Sequence, residues 1–120
     1  MYTTYPERHR ELSRGLRELG DAAPGPMAGF GKLHRAAVTE GVLSSKVKEL
    51  MAVAIAVSSR CDGCIAFHVR DAVKAGATRD ELAVTVGVAV LMGGGPAAIY
   101  GVEAMTALDQ FEADLASDAT

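Results

Sequence analysis

The stretch from Lys48 to Gly76, KELMAVAIAVSSRCDGCIAFHVRDAVKAG, decides how this chain is read. Its first half places Leu50, Met51, Val53, Ala54, Ile55 and Val57 on nearly every side of a helical wheel, the pattern of a helix buried in the middle of a protein. Glu49 is the only acid in that segment, and a carboxylate left unpartnered among such neighbours would be costly. The second half places Cys61, Cys64 and His68 on one helical face, since residues three, four and seven apart are neighbours there. A reversal near Ser58 to Arg60 would run the two helices antiparallel. At about 1.5 Å rise per residue, Glu49 then lies about 15 Å back from the turn and His68 about 12 Å beyond it. The carboxylate is expected beside the imidazole, with Cys64 one turn further and Cys61 beyond that.

Working outward from this pair gives an all-α chain. Pro6 suits a first helical turn, and Leu12, Leu16 and Leu19 follow at helical spacing to Gly20. Arg8, Arg10, Arg14 and Arg17 alternate with Glu7, Glu11 and Glu18, as on a solvated face. DAAPGP reads as a linker, so residues 1–25 form an N-terminal helix and linker ahead of a domain spanning 26–116. Pro26 opens a second helix through Phe30, Leu33 and Val38, carrying His34, which is expected to be a packed, hydrogen-bonded side chain. Ser44 or Ser45 caps the third helix, and the fourth runs from about Cys61 to Ala75 and stops at Gly76. Thr78 with Glu81 forms a capping-box pattern for the fifth. GGGP at 93–96 lacks the context of a phosphate loop and reads as a tight bend that lets helices approach closely, with a last helix from Ala97 to a frayed SDAT tail. The expectation is about six helices, no strand and one domain.

Composition narrows the function. At 120 residues the chain is one domain; it is 49% hydrophobic but only 5% aromatic with no tryptophan, which suits close helix packing and self-association. A homo-oligomer is expected. A net charge of −3 with no basic stripe argues against nucleic acid. The charged N-terminus and the lack of an uninterrupted apolar run of about 18 residues argue against a signal peptide or membrane span. The expected location is the cytoplasm. There a Cys-x-x-Cys pair, the only cysteines in the chain, is more often catalytic or metal-binding than a structural staple. At the start of a helix, thiols gain thiolate character from free N–H groups and the dipole. Glu49, Cys61, Cys64 and His68 are thus the candidate catalytic residues, read as a proton relay ending in a redox pair. Two other readings compete: a zinc-binding module using the same four residues as ligands, and a purely structural helical subunit. Spacing alone also allows Glu49 to be a first-turn dipole partner or a salt bridge to Lys46 or Lys48.

KELMAVAIAVSSRCDGCIAFHVRDAVKAGATRDEL followed by MGGGPAAIY resembles the AhpD-like (alkylhydroperoxidase D, carboxymuconolactone decarboxylase-like) family. The redox members carry Glu, eleven residues, then Cys-x-x-Cys-x-x-x-His, which Glu49, Cys61, Cys64 and His68 reproduce without a gap. The resemblance implies a thiol-dependent peroxidase or disulfide reductase in which Cys64 attacks a hydroperoxide, activated through His68 and Glu49, and Cys61 resolves the sulfenic acid. It also implies re-reduction by a dithiol such as a lipoyl-bearing protein, a trimer or hexamer, and no cofactor or metal. Some members carry a histidine before the second cysteine, where this chain has Gly63, and an acid where Val84 stands. The decarboxylase members lack the cysteine pair, so the lactone chemistry is not implied.

Overall fold

The computed structural model describes residues 3–118. Six helices follow one another: α1 Tyr5–Ala22, α2 Pro24–Val38, α3 Ser45–Ser58, α4 Asp62–Lys74, α5 Arg79–Gly93 and α6 Gly95–Asp118. Among the described residues there is no strand, and no helix is long and apolar enough to cross a membrane. Local chemistry sets most boundaries. Thr4, Ser44 and Thr78 cap α1, α3 and α5 by accepting backbone N–H groups of the first turn, and Glu81 returns the bond to Thr78 N–H as the other half of a capping box. Gly76 at φ 94° closes α4, a left-handed conformation that glycine adopts without strain.

Two boundaries differ from the sequence reading. DAAPGP is not a linker: α1 continues to Ala22 and α2 begins at Pro24, with Ala23 alone between them. Ala23 N–H still donates to Leu19 C=O at 2.7 Å, and Pro24 needs no intrahelical donor in its first-turn position. The left-handed step in GGGP is taken by Gly94 alone, at φ 71°, and α6 starts at Gly95. Of the SDAT tail, Ser117 and Asp118 are helical, and residues 119–120 lie outside the described residues.

The antiparallel pair α3–α4 forms the centre, with α5 packed on α3 and α6 crossing behind both. Val53, Val57, Ile65, Val69, Leu82, Leu108 and Phe111 are fully buried where these helices meet, and small residues such as Ala66, Ala72, Ala104 and Ala107 bring the backbones close. α1 belongs to the same body. Tyr5 N–H donates to Gln110 Oε1 at 2.8 Å, the Tyr5 hydroxyl donates to Glu103 at 3.0 Å, and His9 lies against Phe67 with ring centroids 4.6 Å apart. Burial and the Glu103 carboxylate hold the Tyr5 pKa well above its ordinary value; burial, then the Arg70 charge, hold that of His9 below its own. α2 is the exception. No residue of it is buried, and Phe30 and Leu33 are 59% and 64% exposed.

The tightest approach is between α5 and α6, where a Cβ on Gly101 would stand 2.5 Å from Val86 Cγ1. Gly101→Ala should therefore destabilise the protein by about 1–2 kcal/mol in urea unfolding, overpacking outweighing the roughly 1 kcal/mol that alanine gains in a helix. Adding Val86→Ala should recover most of the alanine-for-glycine loss. A single variant as stable as wild type would show that this spacing is slack.

Candidate active site

Glu49 sits in the second turn of α3, and the helix rotates it towards α4 with only 4% of its surface exposed. Its Oε1 lies 2.7 Å from His68 Nδ1. Its partner is thus the imidazole and not a lysine, because the nearby lysines are engaged elsewhere: Lys46 Nζ pairs with Glu81 at 2.8 Å and Lys48 Nζ donates to Thr39 C=O at 2.7 Å. Lys46 also draws the Glu81 carboxyl below its ordinary pKa, so its charge is spent on α5. With Nδ1 facing a carboxylate, the neutral imidazole carries its proton on Nδ1 and presents Nε2 as an acceptor.

Arg60, at φ 57°, turns the chain from α3 into α4. That left-handed step delivers Cys61 as the N-cap of α4, where its Sγ accepts Cys64 N–H at 3.1 Å. Cys61 and Cys64 are joined as a disulfide, their Cα atoms 5.2 Å apart. Cys64 is exposed and Cys61 half-buried. α1 leans over the start of α4: Arg8 lies 3.9 Å from Asp62, and a Cβ on Gly63 would stand 3.0 Å from Leu12. With the sulfurs bonded to each other, neither is free to ligate zinc as a thiolate, so a Cys61, Cys64, His68, Glu49 metal site is not available in this state.

Two depressions meet at His68. A small one of about 230 Å³ is lined by Ala52, Ile55, Ala56, Ser59, Cys64 and His68, putting the Cys64 sulfur and the imidazole on one wall. A longer groove of about 420 Å³ runs from His68 between α2 and α3, with walls of Phe30, Leu33, Met51 and Ile55 and Lys48 also lining it. His34 lines this groove, its ring centroid 5.5 Å from that of His68. It is therefore not the isolated packed histidine expected from its apolar neighbours. Asp71, one turn after His68 on α4, joins the same cluster, and its three-residue spacing from His68 was the available signal.

The arrangement brings a Glu49–His68 hydrogen bond, a Cys61–Cys64 disulfide and an apolar groove together. A family model for the carboxymuconolactone decarboxylase family matches residues 24–107. The chain is 40% identical over 113 residues to an uncharacterised protein of Cupriavidus necator, covering 94% of this chain and 100% of that one. It is similar in structure to a carboxymuconolactone decarboxylase family protein from Legionella pneumophila solved in its apo form, with 42% identity, 89% and 96% of the two chains covered and a TM-score of 0.86. A family protein from Thermotoga maritima, described as having a possible part in an antioxidative response, matches at 27% identity and a TM-score of 0.83 over 93% and 96%. With its six-helix AhpD-like fold and a match over most of its length, this chain belongs to the carboxymuconolactone decarboxylase family.

Proposed function

We propose that the chain is a thiol-dependent peroxidase, able to act also as a disulfide reductase, in which Glu49 and His68 activate Cys64 and Cys61 completes the redox pair. The observation that carries this reading is the buried Glu49–His68 hydrogen bond beside a Cys61–Cys64 disulfide. The antioxidative description of the Thermotoga relative agrees with it. In the reduced enzyme His68 Nε2 accepts the Cys64 thiol proton while Glu49 holds Nδ1–H. The thiolate attacks the terminal oxygen of a hydroperoxide, the O–O bond breaks, and the proton on His68 leaves with the alkoxide as alcohol. The Cys61 thiol then gives up its proton and attacks the Cys64 sulfenic sulfur; the S–O bond breaks, and the hydroxide leaves with that proton as water as the disulfide forms. A dithiol, such as a protein-borne lipoyl group, returns two electrons and two protons. Its first thiolate meets the exposed Cys64 sulfur, and Cys61 leaves as the thiolate that Cys64 N–H already faces.

The two cysteines should fail differently. Cys64→Ser should abolish peroxide consumption, whereas Cys61→Ser should give one turnover that stops at a sulfenic acid captured by a sulfenate-trapping reagent. Continued turnover in Cys64→Ser, with nothing trapped in Cys61→Ser, would reverse the assignment.

Glu49 acts through His68, so Glu49→Gln should lower the rate of peroxide reduction by about 10²-fold at pH 7 while leaving helical content intact by circular dichroism. The deficit should narrow towards pH 9, because an ordinary thiol with a pKa of about 8.5 ionises there without help. A folded variant that matches wild type at pH 7 would return Glu49 to a structural role.

The working form is a homo-oligomer, a trimer or hexamer, on this reading. Phe30 and Leu33 on α2, Val84, Val88 and Leu91 at one-face spacing on α5, and Ile99 and Val102 on α6 are all exposed in the single chain. Light scattering at micromolar concentration should give a mass of at least three times 12.5 kDa, and a 12.5 kDa particle would refute it.

A further inference from the structure

His34 and Asp71 have no part in the thiol chemistry, yet they complete a second constellation around its base. One nitrogen each from His34 and His68 and one oxygen each from Glu49 and Asp71 all lie within 4.8 Å of one another. The donors come from three helices: His34 from α2, Glu49 from α3, and His68 with Asp71 from successive turns of α4. They therefore surround a common point, unlike the Cys-x-x-Cys-x-x-x-His set, which lies along one helix.

The chemistry of the set is specific. Two imidazole nitrogens and two carboxylate oxygens suit a tetrahedral zinc-class ion, with bonds of about 2.0–2.2 Å and neighbouring donors therefore roughly 3.4 Å apart. The donors already lie within 4.8 Å of one another, about 1.4 Å at most from that spacing. The competing restraints are weak at two of the four residues. Asp71 makes a loose 3.7 Å contact with Arg70, and His34 meets His68 through a tilted ring contact. Glu49 is a buried carboxylate, for which a dication is a strong partner, and the two carboxylates together balance its charge. The groove that His34 and His68 line gives an ion a path from solvent.

We propose that His34, Glu49, His68 and Asp71 bind one divalent transition-metal ion of the zinc class, and that its binding switches off the Glu49–His68 base. An ion on Nδ1 replaces the proton that His68 shares with Glu49. The remaining proton of the neutral imidazole then sits on Nε2, which can no longer accept one from Cys64. Binding of the ion is independent of the peroxidase reading, whereas the switching rests on it.

The experiment is calorimetric titration of zinc into the full-length protein, stripped with chelator and held with its disulfide intact so that no thiol can ligate. Wild type should take up one zinc per chain, and His34→Ala and Asp71→Asn, both at sites outside the buried core, should each weaken binding by about tenfold or more. Magnesium, which prefers oxygen donors, should give no heat in the same range. Absence of stoichiometric zinc uptake by the oxidised protein, uptake only after reduction, or unchanged affinity in both variants would each overturn the site. In the second arm, zinc should halt peroxide consumption by wild type at the concentration that fills the site and a chelator should restore it. Asp71→Asn should need correspondingly more zinc than wild type to lose the same fraction of its own zinc-free rate. Zinc uptake by a wild type that consumes no peroxide even without metal leaves the ion site standing and overturns its switching role together with the peroxidase reading.

Discussion

The hydrogen bond between Glu49 and His68 is the constraint on which the rest of this structure turns. A carboxylate buried to 4% exposure in the apolar face of α3 must be satisfied where it stands, and the partner it finds is on α4, nineteen positions away in sequence. That one contact fixes the register of the two central helices. It also fixes the imidazole, since a base whose Nδ1 is held by a carboxylate has one tautomer and one orientation. The direction of Nε2, and with it the meaning of the nearby sulfur, follows from the pairing of α3 and α4.

Around that pair the protein is built from small side chains. Alanine, glycine and valine allow α5 and α6 to approach until a single methyl on Gly101 would collide with Val86, and Gly93 is closed in the same way by Ala97 and Ser58. Close packing of this kind leaves little room for large residues inside. Phe30, Leu33, Ile55, Leu91, Met92 and Ile99 accordingly remain on the outside of the single chain. A core of small residues and a surface of large ones are two consequences of the same composition.

Membership of the carboxymuconolactone decarboxylase family establishes the helical scaffold and leaves the chemistry to the residues it carries. Here those residues are a disulfide-bonded cysteine pair at the start of α4 and, one turn further in, an imidazole held by a buried carboxylate. Neither is a feature of helical packing. The disulfide closes across a single turn, the N-cap position directs Cys64 N–H at Cys61 sulfur, and Arg60 adopts a left-handed conformation to bring both into place. α1 packs over this turn, with Arg8 3.9 Å from Asp62 and Leu12 beside Gly63.

Much of this was determined by sequence alone. The i, i+3, i+4 and i+7 pattern, the caps at Ser44 and Thr78 and the glycine stop at Gly76 specify six helices, because each acts within one or two turns of chain. The same locality made Cys61, Cys64 and His68 legible as one face, and the lone acid of α3 legible as their partner. Locality also explains the errors: Pro and Gly in DAAPGP signalled a break, but Ala23 alone suffices because the last turn of α1 and the first of α2 tolerate those residues. What only the tertiary structure decided is whatever depends on how one helix is rotated against another. That Lys46 and Lys48 leave Glu49 to His68, that His34 from α2 and Asp71 from the next turn converge on it, and that Cys64 lies open while Cys61 is covered are relations between helices. Sequence spacing reports neighbours on one helix, and the angle between two helices is set by the sum of their packed side chains.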